Sequence, residues 1–89
     1  MTGHYTVVFS SLAREKFDHF IQADRRLGEQ IARAIDRIAL HPEMGEFLKG
    51  EWRDYRRYRT GNYRIIYRTE HTRLIVYLLT IDDRKDVYR

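Results

Sequence analysis

The stretch Arg57-Tyr58-Arg59-Thr60-Gly61-Asn62-Tyr63-Arg64-Ile65-Ile66-Tyr67 decides how this chain folds. Thr60-Gly61-Asn62 is turn chemistry, with Gly61 free to take positive φ. The residues on either side are aromatic, β-branched or basic in alternation, as a strand requires. The stretch therefore predicts two strands folded back on each other, one from Trp52 to Arg59 and one from Tyr63 to Thr69. Glu70-His71-Thr72 turns the chain again, and Arg73 to Ile81 is almost wholly apolar, which predicts a central strand covered on both faces. Three strands joined by tight turns make an antiparallel meander.

Upstream the period changes. Leu27, Ile31, Ala34, Ile35 and Ile38 recur at helical spacing over more than three turns. Asp24 is a suitable N-cap for this helix. His41-Pro42 ends it, because the residue before proline avoids helical geometry. An earlier helix runs from the possible caps Ser10 and Ser11 to about Ala23, with Ala13, Phe17, Phe20 and Ile21 on one face. Before it, Tyr5-Thr-Val-Val-Phe9 predicts a first strand. The expected order is β-α-α-β-β-β, an α+β class with a helical hairpin packed on a three-stranded antiparallel meander. The 89 residues suit a single domain spanning 1–89.

Strand parity then speaks to function. Tyr55, Arg57 and Arg59 share one face, and Arg64, Ile66 and Arg68 share one on the next strand. Tyr63, Ile65 and Tyr67 point the other way, towards the helices. Seven arginines fall between Arg53 and Arg73, opposed only by Asp54 and Glu70, so the segment carries +5 while the rest of the chain carries −1. A row of charges is by default a solvated sheet face. Here it is repeated on adjacent strands, where opposite charges would ordinarily pair. Arginine forks suit phosphate, and tyrosines beside them suit stacking on unpaired bases. Tyr55, Arg57 and Arg59 are thus candidates for binding RNA.

Other chemistries find little support. There is no cysteine, and His4, His19, His41 and His71 have no metal-ligand spacing. No Gly-rich phosphate loop and no serine–histidine–acid constellation is evident, so neither a metal nor a cofactor is expected. No apolar run approaches the ~20 residues of a membrane span, and Met1–His4 does not open a signal peptide; the expectation is a cytoplasmic protein without membrane contact. RNA cleavage needs none of the missing groups. The substrate 2′-hydroxyl can attack the adjacent phosphorus if the enzyme moves two protons and stabilises the added negative charge, which fixed arginines do.

The same stretch resembles the R-x-R-x-G-x-Y-R-[hydrophobic]2-Y core of RelE/ParE superfamily toxins. Leu40-His-Pro-Glu-Met-Gly45 with Leu48-Lys-Gly50 is similar to that family's link between second helix and second strand. Asp83-Arg84-Lys-Asp-Val-Tyr88 is similar to its closing motif, often H-R-x-x-[VI]-Y. The resemblance spans nearly the whole chain. It implies the toxin of a toxin–antitoxin pair, with a cognate antitoxin as partner. RelE-like members cut mRNA on the ribosome and ParE-like members poison DNA gyrase. For the RelE-like reading it implies Arg64 at the scissile phosphate, Arg57 and Arg59 on neighbouring phosphates, Arg84 as phosphate ligand or general acid, and Tyr88 stacking and moving a proton. Two positions depart from the pattern: Asp83 stands where many relatives have histidine, and Arg56 where many are apolar. The expected activity is a metal-independent mRNA endoribonuclease. The alternatives are a gyrase inhibitor on the same fold and an RNA-binding module without chemistry.

Overall fold

The computed structural model describes residues 4–83. The chain runs β1 (Thr6–Phe9), α1 (Ser11–Ala23), α2 (Arg25–Leu40), β2 (Glu46–Phe47), β3 (Arg56–Thr60), β4 (Tyr63–Glu70) and β5 (Ile75–Asp83). Both helices start at capping side chains. Ser10 Oγ accepts the N–H of Ala13, and the Asp24 carboxylate accepts those of Arg26 and Leu27. His41 ends α2, and Pro42 opens a short 3-10 turn over Pro42–Met44. No helix among the described residues is long and apolar enough to cross a membrane.

The α+β layout is the expected one, and the sheet is larger than the expected meander. Among the described residues it has five strands in the order β1-β5-β4-β3-β2. The meander is its middle. β1 joins it parallel to β5, with Thr6 opposite Ile75 and Phe9 opposite Leu78. β2 adds a two-residue antiparallel edge on β3. Such a pairing is too short to leave a periodic signal in the sequence.

Two strand starts differ from expectation. Trp52 lies in a 3-10 turn, Gly50–Trp52, entered at Gly50 with φ +72°. Arg53 N–H bonds to Gly50 O at 3.2 Å and Tyr55 N–H to Trp52 O at 2.9 Å, so the chain is still turning until β3 begins at Arg56. The last turn likewise runs on to Leu74, which takes φ +56°, and β5 starts at Ile75.

The core lies between the helices and one face of the sheet. Ala13, Ile31, Ile35 and Ile38 from the helices meet Ile65, Tyr67, Val76, Leu78 and Ile81 from β4 and β5. β5 is central, between β1 and β4. Tyr67 is fully buried, yet its polar end is satisfied. Its hydroxyl donates to Pro42 O at 2.6 Å and accepts Gly45 N–H at 3.0 Å. That node pins the connection between α2 and β2 to the middle of the sheet. Burial pushes the Tyr67 phenol above its ordinary pKa of about 10.

Candidate nucleic-acid interface

The helices cover one face of the sheet, and the register places Arg57, Arg59 and Arg64 on the other. Two rows of side chains cross the strands there. Glu46, Arg57, Ile66 and Thr80 form one; Arg59, Arg64 and Asp82 form the next. Arg64 sits in the middle, between a like charge on β3 and a carboxylate on β5, and only 8% of its surface is exposed. A charge held there is screened less by water than one on an exposed strand.

Arg57 and Arg64 line a shared concavity of about 420 Å³ with Ile66, Leu79 and Thr80, bordered by Leu48, Trp52 and Asp82. Trp52 is half exposed at its rim. The concavity therefore offers two guanidinium groups over a partly apolar floor, with an indole at the side. This combination can hold a phosphate while an aromatic or aliphatic surface meets a ribose or base.

Acidic relief on this face is greater than the sequence suggested. Asp54 and Glu70 were the only acids within the basic segment, but the fold carries two others in from outside it. Glu46 Oε1 accepts from Arg57 Nη2 at 3.0 Å, and the nearby Arg57 and Arg59 charges hold its carboxyl below the ordinary carboxylate value. Asp82 Oδ1 accepts from Lys16 Nζ at 2.8 Å and from Thr80 Oγ1 at 3.0 Å. Sequence reasoning missed Glu46, Leu48, Trp52 and Asp82 as parts of this face. The parity of β5 could have found Thr80 and Asp82, since both fall two residues apart on a strand paired to Arg64.

Tyr55 and Arg68 stand apart from that concavity. Together they line two neighbouring depressions, one of about 470 Å³ with Phe47, Asp54, Arg56, Thr69 and His71, the other of about 230 Å³ with Tyr77 and Leu79. Arg68 stacks over Tyr77, its guanidinium carbon 4.6 Å from the ring centroid. Trp52 meets Tyr55 edge-on at 5.5 Å, which links the two regions. Arg59 is exposed at the end of β3. Arg56 is spent on structure: its Nη1 donates to Gly45 O at 2.7 Å and Glu43 O at 3.1 Å, and its fork stacks 3.8 Å over Phe47. Those contacts give the Arg56 side chain a structural role, although the resemblance marked it as a departure from the family pattern. Arg84 and Tyr88 lie outside the described residues.

Of the histidines, His71 shares a hydrogen bond with Tyr5 at 2.9 Å, His41 lies 3.8 Å from Glu43, and His19 meets Phe20 edge-on. No group of three or more potential metal ligands occurs among the described residues.

Comparison with known proteins places this surface in context. Residues 7–88 match the family described as ParE toxin of type II toxin–antitoxin system, parDE. Among curated proteins no sequence match is found. Among solved structures, the toxin–antitoxin complex RelBE2 from Mycobacterium tuberculosis is similar with a TM-score of 0.77 and 28% identity, covering 92% of this chain and 100% of that one. The YoeB/ParE toxin from Agrobacterium tumefaciens gives a TM-score of 0.79 at 22% identity, over 88% of this chain and 96% of that one. The isolated E. coli RelE toxin gives 0.75 at 16%, over 89% and 83%. With the family model matched over almost the whole chain and the fold shared with RelE and YoeB toxins, the chain belongs to the RelE/ParE family of toxins of type II toxin–antitoxin systems.

Proposed function

We propose that this toxin is a metal-independent endoribonuclease that cuts mRNA on the ribosome. The observation that carries the reading is the pairing of buried Arg64 with Arg57 in one concavity walled by Trp52, Leu48 and Ile66. Arg64 binds the scissile phosphate, and Arg57 and Arg59 hold the flanking phosphates. Tyr55 offers a ring for a neighbouring base.

The substrate 2′-oxygen attacks the adjacent phosphorus, and the bond from phosphorus to the 5′-oxygen breaks. The products are a 2′,3′-cyclic phosphate and a 5′-hydroxyl. The 2′ proton needs an acceptor. Asp82 is held by Lys16 and Thr80, and Glu46 by Arg57; when Arg57 turns to a phosphate, the exposed Glu46 carboxylate is released and takes the proton. Arg84 or Tyr88 returns a proton to the leaving 5′-oxygen. Arg64 acts on the charge that grows on the phosphoryl oxygens, where a preorganised cation contributes most.

A cognate antitoxin is the regulatory partner. The similar M. tuberculosis and E. coli toxins were solved in complexes with their antitoxins. An arginine-lined face suits an acidic segment that folds on contact. A second reading, inhibition of DNA gyrase, is favoured by the ParE description of the family model.

One experiment separates them. The protein is added to ribosomes programmed with mRNA, and in parallel to gyrase with supercoiled DNA. Cleavage that disappears when the message carries a 2′-deoxy group at the cut position supports the proposal. Efficient cutting of the deoxy message, or inhibition of gyrase with intact message, overturns it.

A further inference from the structure

A second basic surface lies away from the open sheet face, at the junction of α2 and the β3–β4 turn. Gln30, Arg33, Ala34, Arg37 and Thr60 line a cleft of about 310 Å³ there. The turn makes the cleft possible. Gly61 has φ +61°, and a Cβ at that position would meet Gln30 Nε2 at 2.6 Å. Gln30 therefore crosses over the glycine and donates to Thr60 Oγ1 at 3.2 Å, which ties the helix to the turn.

The charges of α2 are sorted by face. Arg26, Gln30, Arg33 and Arg37 follow three- and four-residue spacing and form one stripe. The acidic residues Glu29 and Asp36 border that stripe, four before and three after Arg33, but Glu29 lies 3.4 Å from Arg25 instead. Arg33 and Arg37 are exposed, and among the described residues neither forms an ion pair. Like charges four apart destabilise a helix. Arg37 gains something from the helix C-terminus, but Arg33 is a full turn earlier and does not.

We propose that this cleft is a second RNA contact, one that takes the phosphate backbone of a folded, A-form RNA. It deepens the nuclease reading and rests on RNA being the partner. The contrast with the sheet face identifies the ligand. The sheet face sets Trp52, Tyr55 and Tyr77 beside its arginines, as unpaired bases require. The α2 cleft has no aromatic lining. Two guanidinium forks, a carboxamide and a hydroxyl on a rigid helix and turn read phosphates and 2′-hydroxyls, and these are what a base-paired RNA displays. The two surfaces thus divide the labour, the sheet face gripping a single strand and the helix gripping structured RNA around it.

The test is binding, followed by fluorescence anisotropy, to two probes: an RNA stem of about 16 base pairs and a 2′-O-methyl single-stranded decamer. Arg33→Ala/Arg37→Ala should lower affinity for the stem about tenfold and reduce the log–log salt slope by about two, one for each lost phosphate contact. Decamer binding should be unchanged. Arg57→Ala should show the converse, and Arg14→Ala/Arg25→Ala, which removes two charges outside the cleft, should alter neither. Circular dichroism melts confirm that the variants fold. An unchanged stem affinity overturns the proposal, as does an equal loss on both probes, which would mean one diffuse field. Loss of binding to a polyglutamate peptide with the stem retained also overturns it, and assigns the cleft to an acidic protein. If the stem binds through Arg33 and Arg37 but no message is cut on the ribosome, the nuclease reading fails and this one stands.

Discussion

Replacing Tyr67 by phenylalanine deletes one oxygen atom and leaves two backbone groups without their partner. The ring stays, so no cavity opens. Gly45 N–H loses its acceptor at 3.0 Å and Pro42 O its donor at 2.6 Å, at a residue with no exposed surface. Water has little room to replace the hydroxyl, since even a Cβ on Gly45 would come within 2.5 Å of it. An orphaned buried donor costs about 1–3 kcal/mol. For a domain of this size, 1 kcal/mol moves the melting midpoint by roughly 4–8 °C. Tyr67→Phe should therefore melt ~8–16 °C below the parent if the cost is about 2 kcal/mol. The pH dependence gives a second readout. The folded-state pKa is raised, so the contribution is fully present below the unfolded value near 10 and is lost as pH rises through the folded value. The parent should lose stability across that alkaline window, and the variant should lose less. Urea and thermal melts between neutral pH and pH ~11 decide it. A variant melting within about 2 °C of the parent, with the same alkaline decline, would refute the account of this node.

Three further outcomes are expected. Arg64→Ala should lower single-turnover cleavage of ribosome-bound message by about 10²–10³-fold with a smaller loss of RNA affinity; near-parental cleavage by a folded variant would remove Arg64 from the proposed chemistry. Gly61→Ala forces a side chain into φ +61° and against Gln30, so urea unfolding should report a loss of about 1–2 kcal/mol, and an unchanged midpoint would mean the turn relaxes freely. In an NMR titration the Glu46 carboxyl should titrate below the ordinary carboxylate range and move up in Arg57→Ala; because its folded pKa is depressed, the tie to Arg57 holds above the ordinary value and is lost as pH falls through the folded one, and an unmoved midpoint in the variant would show that Arg57 is not the cause.

Much of the fold was legible because it is written in local periods. The Leu27–Ile38 spacing, the Ser10 and Asp24 caps and the Gly61 turn each rest on neighbours in sequence, and each reappears in the structure. So does the parity that turns Ile65 and Tyr67 to the core and Arg57 and Arg64 away from it. What was not legible depends on distant partners. Nothing near Glu46 says that it will pair with Arg57, because β2 is two residues long. Nothing near Asp82 says that Lys16, on the first helix, will reach it. Trp52 carries strand-forming character, but Gly50 keeps it in a turn and so puts its ring at the rim of the concavity. The face was thus visible as a row of positive charge, and its carboxylates and its indole were not.

The parallel pairing of β1 with β5 has a consequence for how the molecule comes into being. Ser10, at the end of β1, bonds to Leu79 across a separation of 69 residues. Closing a loop of that length costs about 4 kcal/mol in chain entropy before any contact repays it. The helical hairpin and the β3–β4 hairpin close over a few residues and can form early. The strand that fills the gap between β1 and β4 is the last of the described strands to be made, and it brings Val76, Leu78 and Ile81 to the core. It also supplies Leu79, Thr80 and Asp82 to the concavity beside Arg57 and Arg64. A nascent chain that stops before Ile75 has its arginines but no floor beneath them. The surface that would grip RNA is therefore assembled in the same late step that seals the core.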